Sequence, residues 1–118
     1  MSYKIHFYKT GAGKQPAQEF IQGLTGEKRA SLMAAIKEIL VEQGINVCGT
    51  EFGTNLGKGL CEFRVRDKRG TLRVFFHAHG DKLILLLSGY DKGRRGDKRQ
   101  AAAIKKARRF LADFKQNG

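Results

Sequence analysis

The chain has 118 residues, 41% of them hydrophobic, and its 23 Lys and Arg against 11 Asp and Glu give a formal charge of +12. That length suits one domain spanning residues 1–118 and is too short for two ordinary ones, and the apolar content excludes a wholly disordered chain. No apolar run is long enough to cross a membrane and no secretory leader opens the chain, so a cytoplasmic protein is expected.

Residues 2–9, SYKIHFYK, alternate Tyr3, Ile5 and Phe7 with Lys4, His6 and Tyr8, a period of two that predicts a strand. The TGAGK stretch lacks the spacing and the closing Ser or Thr of a phosphate-binding loop and reads as a connection. Pro16 suits a first helical turn, and Ala17, Phe20, Ile21 and Leu24 recur at helical spacing. Thr25 is placed to cap a second helix that buries Leu32, Met33, Ile36, Ile39 and Leu40 and stops at Gly44.

Residues 44–59 are glycine-rich and read as an irregular loop. Three strands are expected next, at roughly 60–66, 71–78 and 82–89, joined by the short turns DKRG and HGD and therefore antiparallel. The third, KLILLLSG, is apolar on both faces and belongs inside a sheet. YDKGRRGDKR, residues 90–99, reads as a basic loop. Asp97 and Gln100 then make a capping box for a last helix with an apolar stripe of Ala101, Ile104, Ala107, Leu111 and Phe114. The order is β-α-α-β-β-β-α. It describes an α+β fold with a small, mainly antiparallel four-stranded sheet, an N-terminal helical hairpin and a C-terminal helix.

The positive charge is unevenly placed. Residues 1–57 hold 6 basic and 5 acidic side chains, whereas residues 58–118 hold 17 and 6. A basic surface of this kind draws polyanions, nucleic acid first. An acidic protein, a membrane surface and a merely solvated basic face are the alternatives. Cys48 and Cys61 have neither metal-ligand spacing nor the density of a disulfide scaffold, and Cys61 reads as a small core residue.

Take Asp67 to Gly70 as a turn and Arg64 falls opposite Arg73. Glu62, Arg64, Arg66 and Arg73 then share one face, with Phe75 and His77 beyond them. Phe63, Val65, Leu72, Val74 and Phe76 form the other, a core face. Like charges set opposite one another destabilise a sheet, and an anion between them reverses the sign. Arginine forks grip phosphate in two-point fashion, so a phosphate is one such anion. Splayed arginines, or neutralisation of one by Glu62, are the alternatives. His77 and His79 lack the further ligands a metal site needs, so no metal is expected. Tyr90 is placed either to stack on a base or to pack at the strand end.

The segments GLCEFRVRDKRGTLRVFF and KLILLLSGYDKGRRGDKRQAAAIKKARRFL, in this order, resemble the RelE/ParE superfamily of bacterial toxins, most closely its HigB-like, phage-derived branch. The resemblance implies a toxin of a type II toxin–antitoxin system, partnered by a cognate antitoxin protein and needing no cofactor. It implies an endoribonuclease that cuts mRNA, usually on the ribosome, without metal, by attack of the 2′-hydroxyl on the adjacent phosphate. Carried over to this sequence, the catalytic positions are Arg64, Arg73 and Lys92, with Arg73 first for stabilising the transition-state phosphate. Arg66, His77, Tyr90, Arg94, Arg95, Lys98 and Arg99 are the expected RNA-binding set. Glu62 stands where RelE itself has a lysine, and the last helix has no tyrosine, so the general base is unassigned, with Lys92 and His77 as candidates. A ParE-like gyrase inhibitor and a non-catalytic nucleic-acid-binding protein are the competing readings.

Overall fold

Alternation of apolar side chains on adjoining strands sets the architecture. The computed structural model describes residues 2–67, 70–80, 82–93 and 99–117. Its elements are β1 (Lys4–Phe7), α1 (Pro16–Gln22), α2 (Gly26–Ala35), a π-helical stretch (Ile36–Leu40), α3 (Val41–Gln43), a 3-10 turn (Gly44–Val47), β2 (Gly53–Gly57), β3 (Leu60–Asp67), β4 (Gly70–His79), β5 (Leu83–Gly93) and α4 (Gln100–Asn117). The five strands lie in the order β1-β5-β4-β3-β2. β1 runs parallel to β5 and the other pairs are antiparallel.

The expected α+β arrangement is therefore present, with one strand more than the four anticipated. β2 arises inside the glycine-rich stretch read as a loop. It pairs with β3 through Gly53↔Phe63 and Thr54↔Glu62. Its glycine content hides it from propensity, but Gly53 is required by contact, since a Cβ there would meet Val47 at 2.8 Å. β5 also runs on to Gly93, so Tyr90 and Lys92 are strand residues, not loop residues. Residues 68, 69, 81 and 97 lie outside the described residues, and with them the tips of the two turns and the Asp97 cap. The backbone pairing Asp67↔Gly70 closes the first hairpin in the expected register.

Pro16 opens α1, and the Thr25 hydroxyl accepts from Lys28 N to cap α2. α2, the π-helical stretch and α3 form one continuous helical run. It ends at Gly44, whose φ of 55° favours glycine and against which the Tyr3 ring packs. Leu32, Ile36 and Leu40 are buried as expected, but Met33 is 45% exposed.

The sheet is covered on both faces. Phe63, Leu72, Val74, Phe76, Ile84 and Leu86 point toward α1 and α2. Phe20 of α1 presses on β5 at Gly89, where a Cβ would lie 2.0 Å from the ring. Leu60, Phe75, Leu85 and Leu87 point the other way, into a second core closed by Ala107 and Leu111 of α4. Each buried Phe or Leu contributes about 1.5–3 kcal/mol relative to exposure. The face of Phe75 and His77 is thus half core and half polar. β5 reaches both cores because its side chains alternate, Ile84 and Leu86 on one face and Leu85 and Leu87 on the other, and a bulge at Leu87 separates the pairs Phe75↔Ser88 and Phe76↔Leu86.

Two polar contacts pin the layers. Lys28 Nζ meets Asp91 Oδ2 at 2.7 Å, joining α2 to the end of β5. The Tyr8 hydroxyl donates to Asp113 Oδ2 at 2.5 Å, joining the β1 end to α4, and Tyr8 packs on Phe110. Burial, then the Asp113 hydrogen bond and charge, push the Tyr8 hydroxyl up to about 12. A raised acid pKa stabilises the folded state fully below the unfolded value of 10.0 and loses that contribution as pH climbs through about 12. In a titration followed by tyrosinate absorbance, Tyr8→Phe should remove a component ionising near pH 12; a wild-type protein lacking that component would contradict the contact.

Candidate functional site

The β3–β4 hairpin places Arg64 directly opposite Arg73, as the register argument required. Glu62 stands on the same face, two residues before Arg64, and its carboxylate fills the space between the two cations. Arg73 Nη1 donates to Glu62 Oε1 at 2.6 Å, and Arg64 Nη1 donates to the same oxygen at 3.3 Å. The anion that the paired arginines demand is supplied by the chain itself. Glu62 is 1% exposed and Arg73 6%.

Arg64 is steered outward by groups from the unanticipated β2 and from Glu51 just before it. Its guanidinium donates to the Thr54 hydroxyl and reaches the carbonyls of Glu51 and Gly53. It lines a cleft of about 150 Å³ with Glu51, Phe52 and the exposed Arg66. The triad therefore has a buried half, Glu62–Arg73, and a half that meets solvent, Arg64. Among the described residues, Glu62 Oε2, Arg64 Nε and Arg73 Nε are buried and find no hydrogen-bond partner. Such atoms cost stability, so this cluster is maintained at some expense to the fold.

Tyr90 pairs with Arg73 across β4–β5 and is 8% exposed. Beside it opens a larger cleft, about 550 Å³, between α1 and α4 at the β5 edge. Glu19, Phe20, Ser88, Tyr90, Arg99 and Lys106 are among its walls. Ser88 is 6% exposed, and among the described residues its hydroxyl finds no partner. Lys92 is the extra residue of a second bulge, between the pairs Thr71↔Gly93 and Leu72↔Asp91. Bulges re-aim side chains and gather next to active sites.

Four of the sequence-derived residues, Arg64, Arg66, Arg73 and Tyr90, are gathered on adjoining strands of the sheet. Lys92 lies two residues beyond Tyr90, and Arg99 is exposed in the wall of the larger cleft. His77 is not with them. It sits four residues along β4 from Arg73, roughly 13 Å at 3.3 Å per residue. There its Nδ1 faces the Gly59 carbonyl at 2.8 Å and its ring lies near Phe114 of α4. Arg94, Arg95 and Lys98 lie outside the described residues. Sequence reasoning missed Thr54, because its strand was unrecognised, and Phe20, Glu19 and Ser88, whose grouping depends on α1 crossing β5. Helical spacing marks Phe20 as an apolar residue of α1 but not as a cleft wall, and no periodicity marks Glu19 or Ser88.

Cys61 is buried against Cys48, and burial, then that neighbour, push its thiol up to about 12. It behaves as core. Among the described residues no three His, Cys, Asp or Glu side chains gather as metal ligands. No helix there is long and apolar enough to cross a membrane.

The family model "Phage derived protein Gp49-like (DUF891)" matches residues 19–112, which take in the helical hairpin from within α1, the whole β3–β4 hairpin, β5 and most of α4. No curated protein matches the chain.

Breaking one side of a buried pair strands a charge, at about 3–5 kcal/mol. Arg73→Ala should therefore lower urea-unfolding stability by about that amount, and Arg64→Ala by less, because Glu62 keeps its shorter bond. Equal losses from the two variants would contradict the asymmetry.

Proposed function

The chain belongs to the phage-derived Gp49-like family, whose members are associated with RelE-like toxins of toxin–antitoxin systems, and on that premise we propose that it is a metal-independent mRNA endoribonuclease of the HigB-like branch. A cognate antitoxin is its protein partner, and ribosome-bound mRNA its substrate. RNA carries its own nucleophile in the 2′-hydroxyl. The protein need only fix positive charge where charge develops on the phosphate and manage the protons.

The observation that carries this reading is the arginine pair held by one buried carboxylate. The 2′-oxygen gives up its proton and bonds to phosphorus, while the bond to the 5′-oxygen breaks and that oxygen takes up a proton. The products are a 2′,3′-cyclic phosphate and a 5′-hydroxyl. Arg64 and Lys92 touch the phosphate in this scheme. Arg73, 6% exposed, is a positioning residue that fixes Glu62 and through it Arg64. Arg66 and Arg99 hold the flanking backbone, and each such contact makes affinity salt-dependent.

The burial of Arg73 also favours a second reading. A hairpin whose inner arginine is already neutralised suits a ParE-like inhibitor that binds gyrase by surface contacts. Mapping mRNA 5′ ends after brief induction separates the two. New ends within coding regions are expected for the wild type, and Arg64→Ala or Lys92→Ala should slow single-turnover cleavage by about a hundredfold to a thousandfold, as loss of a transition-state donor does. Growth arrest without new ends, with lost supercoiling activity, would replace this reading by the gyrase one.

A further inference from the structure

β1 is an edge strand, hydrogen-bonded on one side to β5. In a parallel ladder successive residues turn their backbone groups to opposite sides. Lys4 and Tyr8 donate to Lys82 and Leu86, so the even-numbered residues face β5. Tyr3 faces the other way and donates to the Val41 carbonyl at 2.7 Å. Ile5 and Phe7 face outward too, and among the described residues no backbone group meets them there.

An apolar groove of about 330 Å³ runs beside this edge. Ile5, Phe7, Met33, Ile36, Lys37 and Val41 line it. Met33, at 45% exposure, is one of two large apolar side chains exposed among the described residues. Ile36 and Lys37 come from the π-helical stretch, a geometry that weakens a helix and concentrates at functional sites. Lys37 is the one charged side chain in the lining.

An open strand edge beside an apolar groove is the template for strand addition, in which main-chain bonds give affinity and alternate side chains give specificity. We propose that β1 and this groove dock an extended segment of a partner chain, in which apolar residues entering the groove alternate with acidic ones that meet Lys37. A second copy is a poor occupant. It would bring together two chains of +12, with Lys4, Lys9 and Lys37 of both at the seam. Charge selects an acidic, heterologous segment. The proposal deepens the antitoxin reading and rests on it for who supplies the segment.

The test uses the full chain, isotopically labelled, with a short synthetic peptide alternating valine and glutamate, and its counterpart with lysine for glutamate. The acidic peptide should slow hydrogen exchange at the Ile5 and Phe7 amides. Met33→Ser and Lys37→Glu should each weaken it about tenfold. The lysine peptide should bind Lys37→Glu better than the wild type, a rescue that mere loss of folding cannot give. RNA cleavage by both variants should match the wild type, so failure here is distinct from failure of the nuclease reading. Peptide shifts confined to the Arg64 and Arg66 face, equal binding of both peptides, or self-association of the chain through β1 would overturn the proposal.

Discussion

One carboxylate between two guanidinium groups organises the polar half of the sheet. Without Glu62, the register that puts Arg64 opposite Arg73 would set like charges across a strand pair. With it, both cations bond one oxygen, and the hairpin keeps a register that also aligns Phe63 with Val74 in the core. Because a one-residue slip would turn every side chain to the opposite face, the ionic triad and the apolar core specify the same pairing.

The consequences run outward from that pairing. Arg73 faces Tyr90, so the hairpin hands its charge to the end of β5, where a bulge sets Lys92. Arg64 is left as the accessible member, braced by Thr54 and by carbonyls of the preceding segment. Further along the same face the surface turns apolar at Phe75 and disappears under α4. The basic site is therefore bounded by a second core, which confines the substrate in the proposed reading to the hairpin and the β5 end.

Much of this was legible in the sequence for stated reasons. The period of two in β3 and β4 and the short turn gave the register, and with it the Arg64–Arg73 opposition. Pro16, Thr25 and the spacing of Leu32, Ile36 and Leu40 gave the helical hairpin. β2 was illegible because glycine is a poor strand former, while Gly53 is needed for its close approach to Val47 and the strand is held by its pairing with β3. The fate of Phe75 and His77 was illegible because local alternation cannot say what covers a face. Only the docking of α4 decides it. Met33 fits the helical spacing yet lies at the groove rim, where the helical run passes into its π stretch.

Glu62 and Arg73 act as one buried unit. A double-mutant cycle on unfolding free energy, with Glu62→Gln, Arg73→Met and the pair together, tests it most directly. The coupling should be favourable by about 1–3 kcal/mol, so that the double variant is destabilised by much less than the two single losses combined. Single losses that add to within about 0.5 kcal/mol would show two independent side chains and contradict it.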